Sequence, residues 1–335
     1  MVGVNGLGRI GRLLVRRLAA SHPGLVTALN DPADLRTVVH LLRHDTVHGA
    51  SPLRIEGRQE GGQDFVEIEG RALPLFHGSD PAELPFPELG IQVVVESSGR
   101  FTAREAAARH LRGPVRHAII SAPSADADFD VIAPVNGREL DLARHRVISN
   151  ASCTAHATAP MLAVLEAAFG IEAAGMSTVH VATNDQRLLD LPHKDLRRAR
   201  AAFRNIIPTT SSAFGALHRA MPDLPPGFAG SALRVPTLSV NLVDVSATLK
   251  RHATVDAVNT AFRAASEGTM RGLLALAHAG AVSSDFTGRA ESVVMDLDLT
   301  RMLGDRFVKV VGWHDNETGY AARLAELVIR VAEAR

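Results

Sequence analysis

A chain of 335 residues with a single cysteine cannot form an internal disulfide, and its thiol fits a reducing compartment. Charge of one sign is also missing: 36 lysines and arginines balance 36 aspartates and glutamates. No net field therefore draws the chain to nucleic acid or to an anionic membrane. No apolar run reaches the length of a membrane span, and the N-terminus lacks the layout of a signal peptide. Repeats and low-complexity tails are absent as well. These absences predict a compact cytoplasmic protein. Its 46% hydrophobic content suffices for a sizeable core, divided between two domains.

The lone cysteine sits in a telling place. Cys153 follows an apolar strand-like run, Arg146-Val147-Ile148, and a polar bend, Ser149-Asn150-Ala151-Ser152. Met161, Leu162, Val164, Leu165 and Phe169 then recur at helical spacing. The thiol is thus expected on the first turn of a helix, where unpaired N–H groups and the helix dipole favour thiolate. A buried structural cysteine is the competing reading, and the rest of the chain decides between them.

The N-terminal stretch runs Val2-Gly3-Val4-Asn5, then Gly6-Leu7-Gly8-Arg9-Ile10-Gly11, with Leu13, Leu14, Val15 and Leu18 as the inner face of a helix. A second strand, Leu25 to Leu29, ends in Asn30-Asp31. Strand, GxGxxG, helix, strand and terminal acid together form the context of a dinucleotide-binding unit. Gly6, Gly8 and Gly11 let backbone approach a pyrophosphate, and the helix N-terminus supplies donors. The Asp31 carboxylate can accept from the adenosine ribose and repels a 2′-phosphate, which argues for NAD over NADP.

Further α/β alternation follows: a helix from Leu35 to Arg43, short strands from Leu53 to Leu75 around Gly61-Gly62, and a strand from Gln92 to Glu96. A helix from Ala103 to Leu111 and a strand from His117 to Ile120 continue it. This predicts a doubly wound parallel sheet, with Ser97, Ser98 and Ser121 at the carboxyl ends of strands, near a cofactor or simply in turns. Beyond Cys153 the strands come in succession: Met176–Val181, Ala232–Ser239, Leu242–Lys250, Val293–Leu299 and Phe307–Trp313, with helices expected at Val255–Ala265 and Met270–Leu276. The fold class is therefore a Rossmann sheet over residues 1–150, followed by a mainly antiparallel catalytic domain over 151–318. An amphipathic helix over 319–335 is expected to return to the first domain. The arginine-rich stretch from Asn184 to Pro208 is either a solvated face or a phosphate-binding loop.

These residues together resemble the phosphorylating glyceraldehyde-3-phosphate dehydrogenase family, of which erythrose-4-phosphate dehydrogenase is a close relative. The resemblance rests on Asn5-Gly6-Leu7-Gly8-Arg9-Ile10-Gly11-Arg12, Ser149-Asn150-Ala151-Ser152-Cys153-Thr154 and Thr183-Asn184-Asp185-Gln186. It extends over Asp195-Leu196-Arg197-Arg198-Ala199-Arg200, Arg234-Val235-Pro236-Thr237 and Trp313-His314-Asp315-Asn316-Glu317. It implies that Cys153 attacks an aldehyde and that His180 acts as base. Thr183, Asp185 and Arg234 would hold the phosphate of the substrate, while Arg198, Ser152, Thr154 and Ser211, with Ser212 beside them, would surround inorganic phosphate. Arg9, Ile10, Asp31, Ser121 and Asn316 would contact NAD, and Leu191-Pro192 matches NAD-preferring members. The implied reaction is NAD-dependent oxidative phosphorylation of glyceraldehyde 3-phosphate through a thiohemiacetal and a thioester, without a metal, in a homotetramer.

Departures from the family pattern are Ala155-His156-Ala157 after the reactive stretch, Thr210-Ser211-Ser212 where Ser-Thr-Gly is usual, Ser79, Ala182 and Thr318. None removes a reacting group. They alter the phosphate loop and the pocket walls, so two alternatives stand beside the main reading. One is a paralogue oxidising erythrose 4-phosphate or another small phosphorylated or phosphonylated aldehyde, with transfer to phosphate or water. The other is a non-enzymatic NAD-binding redox sensor.

Overall fold

The computed structural model describes residues 1–334 and divides into two units; residue 335, the last of the expected C-terminal helix, lies outside the described residues. Unit one comprises Met1–Val131, Glu139–Ala151 and Ala321–Arg335, and unit two comprises Ile132–Arg138 and Ser152–Tyr320.

In unit one the chain runs β1 (Val2–Asn5), α1 (Arg9–Ser21), β2 (Val26–Asn30), α2 (Leu35–Arg43), β3 (Ile55–Glu60), β4 (Gln63–Ile68) and β5 (Arg71–Phe76). It continues through β6 (Val93–Glu96), α3 (Arg104–Ala108), β7 (His117–Ile120), β8 (Phe129–Asp130) and β9 (Val147–Ser149). The nine strands form one sheet in the order β3-β4-β5-β2-β1-β6-β7-β9-β8. From β5 to β8 every pairing is parallel, and β3, β4 and β5 form an antiparallel edge. Central strands buried on both faces must be apolar throughout, as Val93-Val94-Val95 is. The expected helix at Ala103–Leu111 is shorter, ending as α3 at Ala108, after which Arg109–Leu111 continue only in turns. The apolar stripe Leu324, Leu327, Val328 and Val331 joins Val2, Leu14, Leu18 and Leu29 in this unit's core.

Unit two contains α4 (Cys153–Phe169), β10 (Ile171–Val181), β11 (Ile207–Thr209), α5 (Ala213–Ala220), β12 (Ala229–Val235), β13 (Asn241–Leu249) and α6 (Val255–Glu267). There follow β14 (Leu274–Leu276), β15 (Val293–Leu303), β16 (Phe307–His314) and α7 (Thr318–Glu333), whose residues from Ala321 onward belong to unit one. The seven-stranded sheet has the order β11-β12-β10-β13-β16-β15-β14. Its pairings are antiparallel except β10 with β12 and β14 with β15.

Three local expectations need correction. Met270–Leu276 is no helix: Gly268 and Gly272 break it, Gly272 with φ of +81°, and Leu274–Leu276 pair with Val293–Met295 as β14. The strand expected to reach Ser239 stops at Val235, because Pro236 offers no N–H to a ladder. Helix α5 was not expected at all, although Ala213, Ala216, Leu217 and Ala220 carry the spacing of one buried helical face.

Candidate active site

The glycine loop of unit one is built as a dinucleotide requires. Gly6 has φ of +97°, and a Cβ there would fall 2.4 Å from the backbone nitrogen of Ser98. At Gly11 a Cβ would fall 2.1 Å from the Gly6 carbonyl oxygen, so α1 can lie close to the loop. Nothing stands within 4 Å of a Cβ on Gly8, which leaves room for a ligand to approach the backbone. Gly8 is also the N-cap of α1 and supplies no side-chain cap, and the first turn carries no acid. The uncapped N–H groups and the helix dipole suit a pyrophosphate.

Side chains support this loop. The Asp31 carboxylate accepts from Leu7 N at 2.7 Å and from Ala33 N at 2.9 Å, one bond to each oxygen, leaving lone pairs for a ribose. Arg9 is paired with Asp45 at 3.0 Å, and the neighbouring Ile10 is half-buried. Ser121 Oγ donates to Ser97 Oγ at 3.0 Å. Beneath them lies a buried network that the sequence reading overlooked. Asn30 Nδ2 donates to Asn5 Oδ1 at 2.7 Å, Asn5 Nδ2 donates to Glu96 Oε2 at 2.6 Å, and His110 Nε2 meets Glu96 Oε2 at 2.9 Å. A signal existed: β1, β2 and β6 are apolar runs that each end in a polar residue, Asn5, Asn30 and Glu96.

In unit two, Cys153 is the first residue of α4, capped by Ser152, whose Oγ accepts from Ala155 N at 3.2 Å. The preceding Ala151 has φ of +49°, and this sharp reversal turns the chain from β9 into the helix. Helix α4 packs on the face of β10 that carries Met176, Thr178 and His180, with Thr158 Oγ1 donating to Met176 Sδ at 3.1 Å. The N-terminal end of the helix thereby meets the C-terminal end of the strand, and Cys153 Sγ lies 3.7 Å from His180 Nε2.

The ring is held from behind. His180 Nδ1 lies 2.8 Å from the Val181 carbonyl, and the tautomer whose Nδ1–H donates to it is the one that leaves Nε2 bare toward the sulfur. Arg234 Nη1 donates to the same carbonyl at 3.0 Å and abuts His180 Nδ1. Burial first, then the Arg234 charge, pushes the imidazole well below its ordinary value. The thiol corrects the expectation of a helix-stabilised thiolate. Desolvation pushes Cys153 above its ordinary value, against the opposing pulls of the Arg234 charge and a Thr154 hydrogen bond. Both shifts favour the neutral forms, thiol and imidazole.

The other candidates divide between two places. Arg234 lies beside His180, on β12, directly opposite it in the parallel ladder. Asp185 pairs with Arg198, stands 3.4 Å from His193 Nε2 and is close enough to Arg234 for its charge to be felt there. Arg198 Nε also donates to Thr209 Oγ1 at 2.6 Å, and Nη2 donates to the Thr210 carbonyl at 3.1 Å. Thr183 is exposed, its N and Oγ1 donating to Gln186 Oε1 at 2.7 and 3.0 Å. Ser211 Oγ accepts from Ala213 N at 3.2 Å, while Ser212 is exposed and caps α5 without a side-chain bond. Thr154 is buried. Leu191 and Pro192 are exposed in the long loop. Asn316 is buried with its Oδ1 unpartnered, an acceptor that an amide donor of a ligand would satisfy. Among the described residues there is no cluster able to hold a metal.

A parallel sheet with an open glycine loop, followed by a sheet presenting a thiol against an imidazole, defines a dinucleotide-dependent dehydrogenase. The NAD binding domain of glyceraldehyde 3-phosphate dehydrogenase matches residues 1–104, and the C-terminal domain of the same enzyme matches residues 152–316. The chain is 45% identical over 332 residues to glyceraldehyde-3-phosphate dehydrogenase of Geobacillus stearothermophilus, covering 99% of this chain and 98% of that one. Against glyceraldehyde-3-phosphate dehydrogenase 1 of Bacillus cereus it is 43% identical over 326 residues, covering 97% and 96%. Against the Streptomyces coelicolor protein of the same name it is 42% identical over 332 residues, covering 98% of each. The chain belongs to the glyceraldehyde-3-phosphate dehydrogenase family, and its cofactor is NAD.

Proposed function

We propose that this protein oxidises glyceraldehyde 3-phosphate to 1,3-bisphosphoglycerate, with inorganic phosphate as the second substrate. The approach of Cys153 Sγ to a bare His180 Nε2 carries the reading. The thiol passes its proton to Nε2 as sulfur bonds to the aldehyde carbon, and Nε2 returns that proton to the former aldehyde oxygen, giving a thiohemiacetal and a neutral imidazole. His180 then takes the hydroxyl proton as the carbon loses hydride and becomes a thioester. NAD, when bound, supplies the hydride acceptor. Phosphate oxygen attacks the thioester carbonyl, the carbon–sulfur bond breaks, and acyl phosphate leaves with sulfur as thiolate.

Residues 1–150 would serve as the NAD-binding domain and 151–318 as the catalytic domain. Gly6, Gly8, Arg9, Ile10, Gly11, Asp31, Ser121 and Asn316 would hold the dinucleotide. Arg234 and Thr183 would take the substrate phosphate, and Arg198, with Ser152, Thr154, Ser211 and Ser212, the incoming one. Asp185 would act by orienting Arg198, since a carboxylate facing a phosphate would repel it.

Arg234 adds a consequence. Its charge depresses His180, so an anionic substrate group at Arg234 would cancel that charge and raise the basicity of the ring. The base would become competent when the proper substrate is seated. Leu188, Leu189, Leu191, Leu196 and Ile206 are exposed apolar residues in one loop, which supports a homotetramer. The unpaired thiol supports a cytoplasmic setting. NADH formation with a panel of aldehydes, with and without phosphate, tests the assignment. Turnover of glyceraldehyde 3-phosphate that requires phosphate is expected. Phosphate-independent release of the free acid, or preference for another aldehyde, would overturn it, and sedimentation tests the tetramer.

A further inference from the structure

His180 belongs to a row of polar residues that crosses the second sheet. Arg234 on β12 is its ladder partner. On the other side, the antiparallel ladder between β10 and β13 reaches Val179 opposite Leu242, so one more step sets His180 opposite Asn241. Asn241 in turn stands directly opposite His314 on β16. Directly opposed residues project to the same face of a sheet.

Asn241 is 0% exposed and begins β13 immediately after Val240, whose φ of +68° is rare for a β-branched residue. Strain of this kind persists only where the surroundings impose it, and here it precedes the residue that meets the end of β10. Past Val179 the β10–β13 ladder offers Val181 no backbone partner. Asn241 Oδ1 fills that gap, accepting from Val181 N at 2.9 Å. The carbonyl of the same Val181 accepts from His180 Nδ1 and from Arg234 Nη1. Asn241 Nδ2 and His314 Nε2 are both buried without a partner, a donor and a ring nitrogen on opposed residues.

We propose that Asn241 is a positioning residue for the thiol–imidazole pair: by fastening Val181 it fixes the carbonyl that selects the tautomer of His180 and seats Arg234. The inference rests on the reading of Cys153 and His180 as nucleophile and base. The charged and titratable groups facing His180 are Cys153 on α4, Arg234 on β12, His314 on β16 and Arg198 in the loop after β10.

The test follows alkylation of Cys153 by iodoacetamide across pH, alongside kcat and KM. Asn241→Leu keeps the branched shape and removes the amide; Asn241→Ala removes the amide without forcing a bulkier chain against His314. Whichever of the two is folded should lose tenfold or more in kcat with KM for the aldehyde within twofold, and its alkylation midpoint should move to higher pH. Asn241→Asp retains an oxygen for Val181 N–H and should recover kcat to within a few-fold of the wild type. A folded Leu or Ala variant with wild-type kcat and alkylation profile overturns the proposal, as does a loss confined to KM or an Asp variant as impaired as the Leu variant. If wild-type protein forms no NADH with any aldehyde, the dehydrogenase reading fails, while the alkylation profiles still report on Asn241.

Discussion

At the residue scale the proposed chemistry would start from a thiol and an imidazole whose neutral forms are favoured. On that proposal the raised thiol and depressed imidazole would make proton transfer accompany attack rather than precede it. Cys153→Ser should abolish oxidation while NAD binding by fluorescence titration is retained, because a hydroxyl lacks the acidity of a thiol. His180→Asn should slow turnover by roughly 10²–10⁴-fold, the range for losing a general base. Retention of most of the turnover by Cys153→Ser would remove the covalent mechanism, and an unchanged rate and unchanged thiol pKa in His180→Asn would remove His180 from it. The proposed assignment separates the arginines by substrate. A charge-assisted contact contributes about 1.5–3 kcal/mol, so Arg234→Ala should raise KM for the aldehyde by tens of fold. It should also raise the pH midpoint of Cys153 alkylation, since the Arg234 charge pulls the thiol pKa down. Arg198→Ala should chiefly weaken the response to inorganic phosphate. Equal effects of both variants on both substrates would refute two distinct anion sites.

At the scale of elements, α4 does two things at once. Its first turn presents Cys153, and its body buries Met161, Leu162 and Leu165. Ser152 is the N-cap and also a candidate phosphate ligand, and its hydroxyl already accepts from Ala155 N. Ser152→Ala should therefore cost about 1 kcal/mol of stability, the usual effect of losing such a cap. A change in melting temperature without a change in KM for phosphate would assign Ser152 to the helix alone; a rise in that KM is expected if it also serves the anion. The same scale shows where local pattern was insufficient. Met270–Leu276 carries apolar residues at helical spacing, but a parallel pairing with β15 claims its second half. Short apolar runs suit either state until a partner strand is available. The parallel strands β6 and β7, buried on both faces, were legible within a residue of their observed ends.

The whole molecule should record its buried imidazoles in its acid stability. His314 is held down to about 4, by burial first and against a weaker opposing pull from Asp315. Its folded value lies below the ordinary 6.5, so between those values the unfolded chain binds more protons and stability rises with pH. That contribution is complete above about pH 6.5 and is lost as pH falls toward 4, a difference of about 3 kcal/mol for a shift of this size. His180 adds in the same direction. Melting temperatures from pH 4 to pH 8 should fall toward acid, and His314→Gln should flatten the slope; an unchanged slope would show that His314 does not titrate as its burial requires.

The sequence by itself determined the glycine loop, the acid that ends the second strand, the cysteine at a helix start and the order of the two sheets. Each of these is written in residues adjacent along the chain, where periodicity and turn chemistry act. Spacing alone did not select His180 among fifteen histidines; the family resemblance named it, and the tertiary structure sets it against the thiol. Only tertiary structure decided that Asp185 pairs with Arg198, and that Asn241 and His314 stand beside the catalytic row. It also reversed the sign of the thiol shift, because the helix terminus favours charge locally while burial by distant segments opposes it. Those outcomes depend on strand register and desolvation, which arise between residues far apart in the chain and leave no local periodic mark.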